Sequence, residues 1–209
     1  MLLLKKLYLS TRPYFSTYLG ASKVPLVVLN QKVSISFDHA FVYYRIPKAA
    51  NSTVFNTLYA NISGSRAASM DELSRLKEAY FSRPSDIAKK DMKTLDSFCH
   101  FTFVRDPVKR FYSCYKDKIA SGEKSEYINK LMKRPMHAKV SIQDFVSYLE
   151  SGGLYQNAHW SPQIDLLPSD LGKLDFIGKV ESIEKDRKRL EGIEESAWRR
   201  LGADFFCTA

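Results

Sequence analysis

The chain has 209 residues, of which 44% are hydrophobic, 13% aromatic and 26% charged, enough apolar mass for one sizeable core and too much for a disordered chain. Its formal net charge of +9 favours polyanionic ligands, yet no zinc spacing, recognition helix or aromatic ribonucleoprotein motif marks a reader of nucleic acid. Three cysteines, Cys99, Cys114 and Cys207, do not make a disulfide framework, and no stretch approaches the roughly 20 apolar residues of a membrane helix.

Residues 1–24 read as a variable lead-in in which Arg12-Pro13 and Gly20 interrupt any long helix. Segments 26–29, 33–37 and 41–46 are rich in β-branched and aromatic residues and separated by short polar turns, which predicts three strands, with His39 in a hairpin turn. Pro47 cannot donate to a ladder and stops the last of them. After it, Lys48-Ala49-Ala50 makes a tight turn. Asn51, Ser52 and Thr53 are N-cap types ahead of the helical spacing Val54, Phe55, Leu58. A helix start offering free N–H groups, two hydroxyls and a lysine suits an anion. In isolation, a capped helix with a solvated lysine would read the same way.

An amphipathic helix is predicted over 70–80, followed by a polar, basic connection over 82–94 that could border a substrate. Segment 98–104 is almost continuously apolar, as in a strand covered on both faces. Arg105 stands at its carboxyl end, Asp106 can cap, and Pro107 suits the first position of a helix running to about residue 120. Ser113 lies on that helix, where its hydroxyl can face the anion that the Arg105 guanidinium forks. Read alone, Arg105 could instead pair with Asp106 or another carboxylate.

Beyond it, 121–139 reads as a mobile, charged insertion. Ser141 caps a helix to about residue 150 that Gly152-Gly153 ends. A further strand is predicted over 176–180, then a charged helix that Gly192 interrupts, whose basic run 185–189 reads as a solvated face. No internal repeat is present. The whole predicts one α/β domain over 1–209, in three α/β/α layers around a mainly parallel sheet, with ligands gathering at the carboxyl ends of the strands.

Pro47-Lys48-Ala49-Ala50-Asn51-Ser52-Thr53 resembles the 5′-phosphosulfate loop of sulfotransferases. Val104-Arg105-Asp106-Pro107-Val108-Lys109-Arg110-Phe111-Tyr112-Ser113-Cys114-Tyr115 resembles their 3′-phosphate motif. The carbohydrate branch of that family is the most similar, and the likeness extends to Asn157-Ala158-His159-Trp160-Ser161-Pro162-Gln163 and Ile177-Gly178-Lys179-Val180-Glu181, covering about 33–190. The resemblance implies the P-loop-NTPase-like sulfotransferase fold, 3′-phosphoadenosine 5′-phosphosulfate as donor with 3′,5′-adenosine bisphosphate as product, no metal, and an acceptor hydroxyl on a carbohydrate that the positive charge allows to be acidic. Self-association stays open.

In the roles so implied, Lys48 stabilises charge on the bridging oxygen, Ala49, Ala50, Asn51, Ser52 and Thr53 hold the 5′-phosphate, and Arg105 and Ser113 hold the 3′-phosphate. The general base is chosen from four histidines, His39, His100, His137 and His159. His159, in a loop matching the family, is first; His100 reads as a core imidazole, and a carboxylate base is the alternative. Three other readings stand beside this one: a cofactor-binding relic, a basic polyanion-binding module, and an ATP-dependent kinase. The kinase ranks below because no Gly-rich loop ends in Gly-Lys-Ser/Thr. Golgi carbohydrate sulfotransferases usually carry an anchor, so the expected location is a bacterial-type cytoplasm. Asn51-Ser52-Thr53 and Asn61-Ile62-Ser63 fit a glycosylation pattern and are read as chance.

Overall fold

Alternation decides the layering. In the strand before the lysine turn, Phe41 and Tyr43 face one way, Val42 and Tyr44 the other, and all four are buried, so the sheet needs cover on both sides. A computed structural model describes residues 2–186, 188 and 189. The chain begins with helices α1 (Leu2–Ser10), α2 (Pro13–Tyr18) and α3 (Leu26–Leu29), then strands β1 (Val33–Ser36) and β2 (Phe41–Tyr44). Helices α4 (Asn51–Ser63), α5 (Met70–Ala79) and α6 (Met92–Leu95) lead to β3 (Cys99–Val104). Helices α7 (Pro107–Cys114), α8 (Ser125–Leu131) and α9 (Ile142–Glu150) precede β4 (Phe176–Lys179).

The described strands form one sheet in the order β1-β2-β3-β4, with β1 antiparallel to β2 and the other neighbours parallel. Phe41, Tyr43, Phe101 and Phe103 pack with Val54, Phe55 and Leu58 of α4 and Leu73 of α5 on one face. The opposite face carries Val42, Tyr44, Leu9, Tyr14, Phe15, Tyr18 and Leu29. The expected three-layer fold is therefore present. A smaller cluster of Cys114, Ile119, Ile128, Phe145, Tyr148 and Trp160 joins α7, α8 and α9.

Two expectations change. Segment 26–29 is a single helical turn: Pro25 sets its start, and the N–H groups of Val28 and Leu29 donate to the Pro25 carbonyl at 2.8 and 3.1 Å. The lead-in breaks at Arg12-Pro13 as expected, but its helices form part of the layer over one sheet face. The remaining strong signals hold. Asp106 caps α7 by accepting from the Lys109 N–H at 2.9 Å, Ser141 and Asp144 form a capping box on α9, and Gly152 follows that helix with φ 104°. Cys99 and Cys114 are buried in β3 and α7. His100 is the buried imidazole foreseen, with Nε2 2.8 Å from the Leu95 carbonyl and Nδ1 3.2 Å from the Tyr44 hydroxyl. Gly192 and Cys207 lie outside the described residues.

Candidate active site

The turn between β2 and α4 is built from residues in unusual conformations. Lys48 and Ala50 have φ of 66° and 53°, in the left-handed region that L-residues enter at a cost of roughly 1–3 kcal/mol each. Alternating backbone of this kind turns successive N–H groups inward and makes a concavity for an anion. Ala50, rather than Asn51, Ser52 or Thr53, is the N-cap of α4, and it supplies no side-chain cap. The three polar residues form the first helical turn instead, so its amides stay available to a ligand. Asn51 Oδ1 is buried without a hydrogen-bond partner among the described residues.

The Arg105 segment is fastened to this turn. An Arg105 guanidinium nitrogen donates to the Lys48 carbonyl at 3.2 Å, while its Nε is buried with no partner among the described residues. The alternative of a carboxylate partner is not realised among those residues. Gln163 grips the Arg105 backbone from both sides, accepting from its N–H at 3.0 Å and donating to its carbonyl at 2.7 Å. Glu181 accepts from the Asp106 N–H at 3.0 Å. The two outlying sequence segments thus act as props for the Arg105 bend. Ser113 is partly buried at the far end of α7.

Arg110 was not singled out in the sequence, yet it joins the pieces. Its buried guanidinium donates to the carbonyls of Pro47 at 2.9 Å, Ser161 at 2.8 Å and Ala158 at 2.8 Å. Burial lowers its pKa to about 10, and it remains charged at neutral pH. It ties α7 to the lysine turn and to the loop carrying His159. The available signal was its place one residue after Lys109 in a motif already recognised, which does not distinguish a buried arginine from a solvated one.

His159 is partly buried, and burial together with the charges of Lys32, Lys118 and Lys48 lowers its pKa to about 4, so the ring is neutral at pH 7. Asn157 Oδ1 accepts from the His159 backbone N–H at 3.0 Å and lies 2.8 Å from Nδ1. An oxygen there requires the proton on Nδ1, leaving the Nε2 lone pair for a substrate. Asp117 is the second residue missed from sequence. α7 continues into a π-helical stretch, Tyr115–Ala120, a distortion common at functional sites, and there Asp117 pairs with Lys48 at 3.1 Å and with Lys118 at 3.3 Å. A cleft of about 540 Å³ opens beside the first turn of α4, lined by residues including Ser52, Thr53, Asn56, Thr57 and Arg66.

A family model described as the sulfotransferase family matches residues 31–195. Three curated relatives are similar: carbohydrate sulfotransferase 14 of Mus musculus, 27% identical over 78% of this chain and 46% of the relative; of Danio rerio, 27% over 76% and 47%; and of Homo sapiens, 27% over 78% and 46%. The chain thus spans about half the length of the curated relatives it matches. No solved structure matches. These matches correct the expected bacterial-type cytoplasmic location, because all three relatives are vertebrate members of the Golgi-type carbohydrate branch. The expectation had rested on a missing anchor, which a chain covering half of its relatives does not decide.

Proposed function

Because the chain belongs to the sulfotransferase family, we propose that it transfers a sulfuryl group from 3′-phosphoadenosine 5′-phosphosulfate to a hydroxyl of a carbohydrate acceptor. The observation that carries this reading is the left-handed turn at Lys48 and Ala50, tied to Arg105 while the Arg105 Nε is left without a partner. Two cationic side chains, first-turn amides and a buried unpaired donor fit an anion with phosphate groups at both ends. The acceptor class follows the names of the relatives.

The donor supplies an activated sulfuryl group when bound. Amides of Ala50 and Asn51 with the hydroxyls of Ser52 and Thr53 hold its 5′-phosphate, the expected Ala49 N–H being taken instead by the Ile46 carbonyl at 3.2 Å; Arg105 and Ser113 hold the 3′-phosphate, and the cleft beside Ser52 has room for the nucleoside. Lys48 stabilises the charge that grows on the bridging oxygen as the S–O bond breaks, a form of electrostatic catalysis in which the group is aimed beforehand. His159 takes the acceptor proton at Nε2. Its low basicity reflects burial and three lysines; anionic ligands entering the same field offset the lysines and raise it.

The test is calorimetric titration of 3′,5′-adenosine bisphosphate into the wild type and the Lys48→Ala, Arg105→Ala and His159→Ala variants, with ATP as competitor, followed by a transfer assay. Expected are micromolar binding that prefers the bisphosphate, at least tenfold weaker in Arg105→Ala by the loss of charged hydrogen bonds worth about 1.5–3 kcal/mol each, and retained in His159→Ala with transfer lost. Binding without turnover in the wild type would identify a relic, and preference for ATP would overturn the reading.

A further inference from the structure

Helix α1 turns leucines to the outside. Leu3, Leu4, Leu7 and Tyr8 are 80, 72, 63 and 52% exposed, whereas Leu9 is 1% exposed and packs in the core with Tyr14, Phe15 and Leu29. At about 100° per residue, the four exposed side chains share one face roughly 140° wide, and Leu9 lies on the opposite side. The exposed Lys5 and Lys6 stand on the two shoulders between that face and the core. The carboxyl end of the helix is fixed: the Ser10 and Thr11 hydroxyls donate to the Leu7 and Tyr8 carbonyls at 2.7 Å each, and the Arg12 guanidinium lies 5.5 Å from the centre of the Tyr8 ring.

The charge around this face has one sign. The first acidic residue of the chain is Asp38, and Lys5, Lys6, Arg12, Lys23 and Lys32 all precede it. Arg12 also donates to the Ile87 carbonyl at 2.8 Å, which fastens the stretch 86–93, with its exposed Lys89, Lys90 and Lys93, to the end of α1. The carboxylates of that stretch are Asp91, partly buried, and Asp86, which accepts from the Arg83 N–H at 2.8 Å and the Ser85 hydroxyl at 3.0 Å. A contiguous exposed apolar face marks an interaction surface. A helix of 9 residues is about 14 Å long, too short to cross a bilayer, but leucines flanked by lysines suit a helix lying in its surface. The lysine stems cover apolar surface while their ammonium groups reach the headgroups. A second copy of the chain is the poorer occupant: pairing two α1 helices would gather four lysines around the seam, with no carboxylate on the helix to answer them.

We propose that α1 docks the folded protein on an anionic phospholipid bilayer, lying in the plane of the surface with Leu3, Leu4, Leu7 and Tyr8 at the boundary between headgroups and acyl chains and with Lys5 and Lys6 on headgroup anions. No residue of the donor site takes part, so the docking surface stands independently of the sulfotransferase reading. Leu9 and Arg12 join the helix to the core and to stretch 86–93, and the contact therefore fixes how the globule sits on the membrane.

The experiment is flotation of the full chain with vesicles of phosphatidylcholine, alone or mixed with phosphatidylserine, at physiological salt. Wild type should float with the mixed vesicles and stay behind with the neutral ones. A chain of net charge +9 is drawn to anionic vesicles in any case, so the deciding variant is Leu3→Ser/Leu7→Ser, which leaves the charge unchanged and should weaken binding at least about tenfold. Lys5→Gln and Lys6→Gln should each weaken it about fivefold. Leu4→Trp keeps the face apolar, and its added fluorescence should shift to shorter wavelength on the mixed vesicles and be quenched by brominated acyl chains. Absence of binding to the mixed vesicles, binding indifferent to the leucine substitutions, or an added tryptophan that neither shifts nor is quenched would overturn the proposal. A dimer in sedimentation velocity that Leu3→Ser/Leu7→Ser dissolves, in place of vesicle binding, would give the face to a second copy and overturn it as well.

Discussion

At the scale of single residues, the central fact is that the Lys48 ammonium already has a partner. Asp117 holds it at 3.1 Å, and the ion pair keeps the Asp117 carboxyl below its ordinary range. A bound donor would compete with Asp117 for the same ammonium and would meet its negative charge. Asp117→Asn should therefore strengthen bisphosphate binding by about two- to fivefold, the range expected for a partly exposed ion pair, with calorimetry as the measure. Weaker binding would mean that Asp117 aims Lys48 at the ligand rather than competing for it. The spacing Ser113 to Asp117 is one helical turn, so the pair was open to inspection in the sequence. The contact with Lys48 was not, since it depends on how the π-helical stretch turns the end of α7 toward a residue far away along the chain.

At the scale of elements, α7 is the beam of the site, and Arg110 is its fastening. Three carbonyls from two separate loops converge on one buried guanidinium. Removing it strands those acceptors, at about 1–3 kcal/mol for each buried group left unsatisfied. Arg110→Ala should destabilise the protein by at least about 3 kcal/mol, a fall in melting temperature of roughly 6–12 °C for a chain of this size. Arg110→Lys cannot span three acceptors with a planar fork and should recover only part of the loss. A melting temperature unchanged in Arg110→Ala would show that the loops are held by other contacts. The same fastening gives the segments 157–163 and 177–181 their place beside the two motifs: the Ala158 and Ser161 carbonyls accept from Arg110, Gln163 accepts from the Arg105 N–H and donates to its carbonyl, and Glu181 accepts from the Asp106 N–H.

At the scale of the whole molecule, the buried histidines set the response to acid. His100 sits in a chain where the Tyr14 hydroxyl lies 3.1 Å from that of Tyr44, which meets Nδ1, while Nε2 meets the Leu95 carbonyl. A neutral ring satisfies every partner in that chain. Burial lowers the pKa of His100, and burial with nearby lysines lowers that of His159 to about 4. Below about pH 6.5 the unfolded chain takes up protons at these positions that the folded chain refuses, so stability is complete above that pH and falls as acid is added. Denaturation by urea should show a declining midpoint from pH 6.5 down to about 4. His159→Asn should flatten part of that decline, and a midpoint constant over the interval would show that neither histidine is held neutral.

Much of the architecture was legible in the sequence because it is specified locally. The β-branched and aromatic residues of 33–36 and 41–44, the nearly continuous apolar run of 99–104, the Asp106-Pro107 helix start and the Ser141 capping box each rest on interactions within a few residues, and each stands in the fold as expected. The Lys48 and Arg105 motifs were visible for the same reason. Segment 26–29 shows where local propensity ends: its β-branched residues suit a strand, but the edge of the sheet is occupied by β1, with Ser82 bridged to it, and Pro25 starts a helical turn. Only the tertiary structure decided that the first helices cover a sheet face, that Asp117 reaches Lys48, that Arg110 binds two loops, and that Leu3, Leu4 and Leu7 of α1 stay uncovered. Caps and alternation are settled by neighbours along the chain. Meetings between distant residues are settled by loop closure and by which polar groups remain to be satisfied once the core has formed.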